Sequence, residues 1–249
     1  MMEIYPDLAT LSDAAAQLFA DQAERAVAAR GRFSVALSGG STPRRTYELL
    51  ARPPFGERVL WAKVHVFWGD ERCVPADDPR SNYLMARQAL LDHVPIPAEQ
   101  IHPIPCSQEP HAEAERYEIL LRRFFGERPP QFDVVLLGLG ENGHTASLFP
   151  GTPVLEERQH WVADVYLAEQ DLFRITLTAP LLNQAAVVVF LVAGAGKAAV
   201  LREVLEGPHD PTRLPAQLIR PKDGKLRWLV DQAAASLVSH EALERPTAM

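Results

Sequence analysis

The stretch that decides the fold is residues 132–150, FDVVLLGLGENGHTASLFP. Its apolar run, 132–137, predicts a buried β-strand, because short runs rich in Val and Leu are typical of strands covered on both faces. The run stops at a glycine turn that ends on His144. This pattern places one imidazole at the end of a strand, beside backbone that a ligand can approach closely. We therefore expect His144 to carry the chemistry.

Similar apolar runs recur along the chain and alternate with helical patterns. This alternation predicts an α/β fold of three layers, with a mostly parallel sheet and helices on both faces, in a single domain over residues 1–249. Residues 174–178 predict a further strand, whose polar face indicates a sheet edge or the wall of a site. The predicted strands are 33–37, 64–68, 132–137, 187–192 and 226–230, and the predicted helices are 11–29, 46–51, 82–91, 112–125 and 197–205.

Composition and charge narrow the function. The 249 residues are 47% hydrophobic and 23% charged, which is ordinary for a globular protein. A net charge of −7 argues against broad nucleic-acid binding, but it permits a small anionic substrate held by a few cations. The longest apolar run, 185–195, is far shorter than the ~20 residues that span a bilayer. We expect a cytoplasmic protein without membrane partners, as a monomer or weak homo-oligomer.

No metal or disulfide site is expected. Cys73 and Cys106 lack the CxxC spacing, so neither a disulfide framework nor a zinc site is predicted. His65 falls within a predicted strand and is expected to pack there. No HExxH motif or carboxylate–histidine cluster occurs, which favours a mechanism without a metal. The histidines expected in loops or on polar faces are His93, His102, His111, His160, His209 and His240.

The first glycine turn, SGGSTP at 38–43, directly follows a predicted strand. Gly39 and Gly40 let backbone amides face a ligand, and Ser41 and Thr42 add hydroxyl donors. Amides at the start of a helix form an anion site, and proline suits the first helical position. A plain strand–helix turn capped by Ser or Thr would select the same residues. Both interpretations stay open on this motif alone.

Charged residues follow two other predicted strands. In the segment 67–72, Asp70 could hold a sugar hydroxyl or orient a histidine, and Arg72 could clamp a phosphate or carboxylate. Arg174 opens the strand with the polar face. Lys197 lies in the predicted first turn of a helix, where the dipole disfavours a cation unless an anion binds there. The alternative for each of these residues is a solvated surface charge.

A nucleotide site is disfavoured. The pattern GxGxxG at 138–143, with Asp164 beyond it, formally matches a dinucleotide fingerprint. That fingerprint needs an uninterrupted helix after the glycines, whereas Pro150 and Pro153 interrupt the chain here. The GxSxG elbow of α/β-hydrolases is also missing from the sequence. No cofactor is therefore expected.

Taken together, these motifs resemble the 6-phosphogluconolactonase family. The resemblance implies a modified Rossmann-like sheet, shared with glucosamine-6-phosphate deaminases, that binds sugar phosphates rather than nucleotides. It spans about residues 35 to 197, in the family's order. The matching segments are SGGSTP at 38–43, DERxVP at 70–75, SNY at 81–83, IH at 101–102, GxGxxGHTASLFPG at 138–151, RIT at 174–176 and GK at 196–197.

The resemblance implies hydrolysis of 6-phospho-D-glucono-1,5-lactone in the pentose phosphate pathway. His144 is then the general base that activates water, and Asp70 is the second catalytic candidate. The phosphate is expected on the turn at 38–43 together with the cations. The residues implied in substrate binding are Gly39, Gly40, Ser41, Thr42, Arg72, Asn82, Arg174 and Lys197.

Two positions distinguish this chain from its expected relatives. The family usually has Asp immediately before the Gly-His pair, and this chain has Asn142, which can only hydrogen-bond and so bears on how basic His144 is. The deaminases place a glutamate where this chain has Phe149, which cannot transfer a proton. This favours the lactonase. A deaminase-like isomerase and a non-catalytic sugar-phosphate sensor remain the alternatives.

Overall fold

The computed structural model describes residues 1–106 and 109–239, so His240 lies outside the described residues. The strands are β1 (Met2–Tyr5), β2 (Phe33–Leu37), β3 (Val64–Trp68), β4 (Asp70–Arg72), β5 (Val134–Leu137), β6 (Val162–Leu167), β7 (Leu172–Leu177), β8 (Val187–Val192) and β9 (Lys225–Asp231). The helices are α1 (Leu8–Arg30), α2 (Ser41–Leu50), α3 (Phe55–Arg58), α4 (Asn82–Ala89), α5 (Pro110–Phe125), α6 (Ala179–Leu182), α7 (Ala198–Glu206) and α8 (Gln232–Ala235).

The strands of the described residues form two sheets. The larger has the order β1-β9-β8-β5-β2-β3, and all of its pairs are parallel. The chain moves outward from β2 to β3 and then in the opposite direction from β5 to β8 and β9, so the direction of winding reverses between β2 and β5. Open α/β sheets bind ligands at such a reversal, outside the carboxyl ends of the strands. The predicted α/β fold with a mostly parallel sheet is confirmed.

The smaller sheet is antiparallel, with the order β4-β7-β6. The strand predicted over 174–178 is its central strand β7, so a sheet edge was the wrong expectation. The other expectation, a site wall, matches the position of Arg174, which lines the cleft described below. Sequence patterns missed β1, β4 and β6, because these strands are short or mix polar with apolar residues.

The core holds the central strands in place. Every residue of β2 and β8 is buried, as expected for strands that are apolar throughout (β8) or apolar except for one serine (β2). Aromatic rings fill the layer beside them: Phe132 packs edge-on against Phe67 and Phe125, at centroid distances of 5.3 and 5.1 Å. Phe190 stacks on Trp228 at 3.9 Å. This packing fixes the strands whose carboxyl ends carry the polar turns.

The expectation that no disulfide forms is wrong, because Cys73 and Cys106 are joined in the structure. They lie 33 residues apart in sequence, and their Cα atoms are 4.8 Å apart. The isolated bridge between Val66 and Ile101 brings the second segment alongside β3. The spacing argument considered only local motifs, whereas this pair is brought together by tertiary contacts.

The chain does not continue as a long helix after the second glycine turn, which is the turn at 138–146 that ends the strand β5 and contains His144. Residues 141–152 form turns, and the next helical segment is the short 3-10 helix Pro153–Glu156. Gly143 and Ala146 have φ of 81° and 47°, which a right-handed helix cannot include. This agrees with the argument against a dinucleotide loop. None of the helices in residues 1–106 and 109–239 is long and apolar enough to cross a membrane.

Candidate active site

A cleft of about 240 Å³ opens at the carboxyl ends of β2, β5 and β8. The turn at 38–43 forms one side of the cleft and the turn at 138–146 forms another. Arg174 reaches the cleft from β7, and Lys197 from the segment that follows β8. All ten residues singled out from the sequence line it, although they come from widely separated segments. They are Gly39, Gly40, Ser41, Thr42, Asp70, Arg72, Asn82, His144, Arg174 and Lys197.

The second glycine turn folds back on itself to present His144. The amide of Gly140 donates to the carbonyl of His144 at 2.9 Å, and the amide of Gly143 donates to the carbonyl of Gly140 at 3.0 Å. A Cβ on Gly140 would lie 2.0 Å from Nδ1 of His144. Glycine is therefore required at 140 because the imidazole occupies the space of a side chain.

The environment of His144 keeps its imidazole neutral. Burial lowers the pKa of His144 to about 4; the nearby Asp70 opposes this shift, whereas Arg174, Lys197 and Arg72 add to it. The ring stacks on Phe149 at a centroid distance of 4.1 Å. At neutral pH the imidazole is therefore uncharged, and its ring nitrogen without a proton can accept one.

Asp70 is a buried carboxylate that joins three segments. Its Oδ2 accepts a hydrogen bond from Ser147 at 2.6 Å, and Nη1 of Arg174 lies 3.7 Å from the same oxygen. Its Oδ1 accepts from Nδ2 of Asn82 at 3.3 Å. Ser147 belongs to the segment that directly follows His144. Asp70 therefore links the second glycine turn to Arg174 on β7.

Asn82 packs against the first glycine turn. Its Nδ2 also donates to the backbone carbonyl of Asp70 at 2.9 Å. A Cβ on Gly39 would lie 1.8 Å from Oδ1 of Asn82, so glycine at 39 leaves room for this amide. The first turn is thereby held against the residues that follow β3.

Glu71 was given no role from the sequence, and the structure shows what it does. Its carboxylate accepts hydrogen bonds from the amides of Asn82 and Tyr83, both at 2.8 Å, and from the hydroxyl of Ser81. Burial raises the pKa of Glu71, and the amide hydrogen bonds oppose this shift. Glu71 thus fixes the start of α4 and, with it, the side chain of Asn82.

Three cations line the cleft. Nη1 of Arg72 donates to the carbonyl of Arg80 at 2.5 Å, and Nη2 of Arg174 donates to Oε1 of Gln170 at 2.7 Å. Among the described residues, Nε of neither Arg72 nor Arg174 has a hydrogen-bond partner. Burial lowers the pKa of Arg174, and Asp70 opposes this shift. Nζ of Lys197 lies 3.9 Å from Glu141.

The start of α2 adds backbone donors. The N-cap is Gly40, with φ of 104°, so the alternative of a Ser or Thr N-cap is wrong. Ser41 and Thr42 are the first two helical residues, and Pro43 is the third rather than the first. The first amides of a helix have no carbonyl partner within it and bear partial positive charge. An anion in the cleft would meet these amides as well as the cations.

Other lining residues were missed from the sequence. The hydroxyl of Ser38 is buried and, within the described part of the chain, has no hydrogen-bond partner. The hydroxyl of Thr145 donates to the carbonyl of Gly138 at 2.9 Å, and this hydrogen bond stabilises the second glycine turn. Their position beside glycine motifs was the one signal that could have found them. Within residues 1–106 and 109–239, no group of three or more His, Cys, Asp or Glu side chains could hold a metal ion.

The chain is similar to known proteins over most of its length. The family model described as "Glucosamine-6-phosphate isomerases/6-phosphogluconolactonase" matches residues 6–228. The 6-phosphogluconolactonase of Nostoc sp. is 43% identical, over 96% of this chain and 98% of the relative, and that of Synechocystis sp. is 48% identical, over 84% and 86%.

Solved structures give the same result. The crystal structure described as devB protein has a TM-score of 0.87 and 33% identity, covering 96% of this chain and 99% of that one. The 6-phosphogluconolactonase from Trypanosoma brucei has a TM-score of 0.82 and 31% identity, over 96% and 98%. The family match covers most of the chain, and close relatives match almost end to end. The chain therefore belongs to the family of glucosamine-6-phosphate isomerases and 6-phosphogluconolactonases.

Proposed function

We propose that this protein hydrolyses 6-phospho-D-glucono-1,5-lactone to 6-phospho-D-gluconate, a reaction of the pentose phosphate pathway. One observation carries the proposal: a neutral histidine, His144, shares a cleft with three cations. A proton acceptor beside an anion site suits a sugar phosphate that is attacked by water at its other end. The relatives named 6-phosphogluconolactonase support the choice of substrate.

In the chemical step, the imidazole of His144 takes a proton from a water molecule while the water oxygen bonds to C1 of the lactone. The carbonyl π-bond opens and its electron pair moves to the oxygen, which backbone amides of a glycine turn stabilise. The carbonyl then re-forms as the bond from C1 to the ring oxygen breaks. The imidazolium returns its proton to that oxygen, which yields the open acid and neutral His144.

The phosphate is held away from the reacting carbon. We assign it to the amides and hydroxyls of Ser41 and Thr42, together with Arg72, Arg174 and Lys197, because these groups surround the cleft with positive charge. Binding energy from this dianion places C1 against His144. Asp70 and Asn82, which are hydrogen-bonded to each other, position the sugar hydroxyls. Asp70 also positions the second glycine turn through its hydrogen bond from Ser147.

Phe149 favours a lactonase over a deaminase. Its ring stacks on His144 at 4.1 Å, and Cζ of Arg174 lies 5.4 Å from its centroid. A phenyl ring at this place shields the imidazole but cannot donate or accept a proton. Ring opening and proton transfer in an amino sugar would require an ionisable group there.

The proposal is tested by acid release from freshly generated 6-phosphogluconolactone at pH 6.5, corrected for spontaneous hydrolysis. We expect His144→Ala to lose most of the acceleration while it still binds 6-phosphogluconate. His93→Ala is the matched control, because His93 is exposed and lies outside the residues lining the cleft. A wild-type rate equal to the spontaneous rate would refute the lactonase. Ammonia release from glucosamine 6-phosphate would then identify a deaminase, and binding without turnover would identify a sensor.

A further inference from the structure

Asn142 contacts the imidazole of His144 directly. Its Oδ1 lies 2.5 Å from Nδ1 of the ring and also accepts the backbone N–H of His144 at 3.2 Å. A carboxamide offers one accepting oxygen and one donating nitrogen. The backbone N–H can only donate, so the carboxamide oxygen is the atom that faces both groups. The orientation of the Asn142 amide is therefore determined by the backbone.

This orientation determines where the ring proton lies. A neutral imidazole carries one proton, on either Nδ1 or Nε2. If Nδ1 of His144 carried a lone pair, it would face the lone pairs of Oδ1 of Asn142 at 2.5 Å. With the proton on Nδ1, the same contact is a hydrogen bond. The second arrangement is favoured, and it leaves the lone pair on Nε2.

We infer that Asn142 is a positioning residue that fixes His144 in the Nδ1–H tautomer and thereby makes Nε2 the atom that takes the proton from water. The assignment of Nε2 as the base rests on the proposed function, whereas the tautomer does not. Asn142 itself is exposed and acts through His144.

Asn142 orients the ring without adding charge, and this affects the pH range of the base. The charged groups around His144 are Asp70 and Arg72 from β4, Arg174 from β7, Lys197 from the turn after β8, and Glu141, which pairs with Lys197. Cations outnumber the facing Asp70, and burial also disfavours the imidazolium. A carboxylate at 142 would accept the same hydrogen bond but would stabilise the protonated ring. With Asn142, the neutral base persists in mild acid.

The tautomer is tested by nitrogen NMR of the intact protein labelled with ¹⁵N-histidine, with His144 assigned from the signals missing in His144→Gln. In the wild type above pH 6 we expect a protonated-type shift at Nδ1 and an unprotonated-type shift at Nε2. Asn142→Asp should keep this pattern and raise the pKa of His144 by about one to three units, as an adjacent opposite charge does. Asn142→Ala should shift the population toward the Nε2–H tautomer. A wild-type proton on Nε2, or an unchanged tautomer in Asn142→Ala, would overturn the inference.

The kinetic consequence separates positioning from a structural role. Wild-type kcat/KM should change less than about twofold from pH 8 to pH 5, because His144 has a pKa of about 4. In Asn142→Asp, a rise of two in the pKa of His144 would lower kcat/KM about tenfold between pH 8 and pH 5. Asn142→Ala should lower kcat with little change in KM. An Asn142→Asp profile that matches the wild type would contradict the inference. If the wild type hydrolyses no lactone at all, the proposed function fails, and the NMR measurement still decides the tautomer.

Discussion

Two glycine turns lie side by side at the carboxyl ends of the neighbouring strands β2 and β5, and they present different groups to the cleft. The turn after β2 leads directly into α2 and presents helix amides to the cleft. The turn after β5 closes on itself through Gly140 and presents the imidazole of His144. Left-handed backbone at Gly143 and Ala146 prevents a helix from following the second turn. Similar glycine-rich sequences therefore present helix amides to the cleft in one place and an imidazole in the other.

The largest effect should come from Gly140→Ala in the second turn. The added Cβ would lie 2.0 Å from the imidazole, so the ring must move. A displacement of about 1 Å can cost roughly 100-fold in rate, and we expect a loss of that order in kcat with a smaller change in KM. Gly69→Ala is the matched control, since Gly69 is outside the residues lining the cleft and its Cβ would meet only the carbonyl oxygen of Leu37, at an ordinary contact distance of 3.5 Å. Equal losses of kcat in the two variants would contradict the assigned role of Gly140.

Removing a cation should act on binding. Arg174→Met keeps a long apolar side chain but loses the charge that we assign to the phosphate. The loss of a charge-assisted contact, about 1.5–3 kcal/mol, corresponds to a KM increase of roughly 10- to 100-fold. Steady-state kinetics over a range of substrate concentrations measure this change. A fall in kcat at unchanged KM would place Arg174 at the carbonyl instead of the phosphate.

Gly39→Ala should sharpen the contrast between the turns. A Cβ there would lie 1.8 Å from Oδ1 of Asn82 and would displace an amide that donates to Asp70. Because this damage falls on the first turn, we expect KM to rise by about tenfold, the loss of about one polar contact, while the pKa of His144 stays near its wild-type value. NMR titration of His144 beside the kinetics tests both parts. A shifted histidine titration would show that the two turns are coupled.

The smallest effect concerns stability in acid. The folded-state pKa of His144, about 4, lies below the ordinary value of 6.5, so the unfolded chain binds more protons between these pH values. His144 therefore contributes stability above pH 6.5 that is lost as pH falls toward 4. The free energy of unfolding of the wild type should therefore decrease from pH 7 to pH 5. In His144→Gln we expect this decrease to be smaller than in the wild type by about 1 kcal/mol, after allowance for solvent screening.

Urea denaturation of both proteins at the two pH values measures this difference. His102, whose pKa is likewise lowered to about 4 by burial and by His65, keeps its own contribution in both. An acid sensitivity that is identical in wild type and His144→Gln would show that His144 is not the group responsible.

Sequence patterns predicted some strands correctly and missed others, and the residues of each strand explain why. Strands β2, β3 and β8 have the predicted bounds, because each is a run of apolar residues with few polar interruptions. The strands β4 and β6 escaped detection because their residues are polar or mixed, and pairing with β7 is what makes them strands. The Cys73–Cys106 disulfide was missed for a similar reason, since no local spacing reports a contact across 33 residues.

The sequence alone determined the parallel α/β class, the glycine turns and the set of residues that could carry chemistry. Local periodicity and residue type are sufficient for these, because each depends on a short stretch of chain. The tertiary structure places the turns after β2 and β5 on one cleft, which no local pattern reveals, because packing of the whole sheet sets which strands are adjacent. It also decided the charge state of His144, since burial and the distances to Asp70 and Arg174 fix a pKa that residue type alone leaves near 6.5.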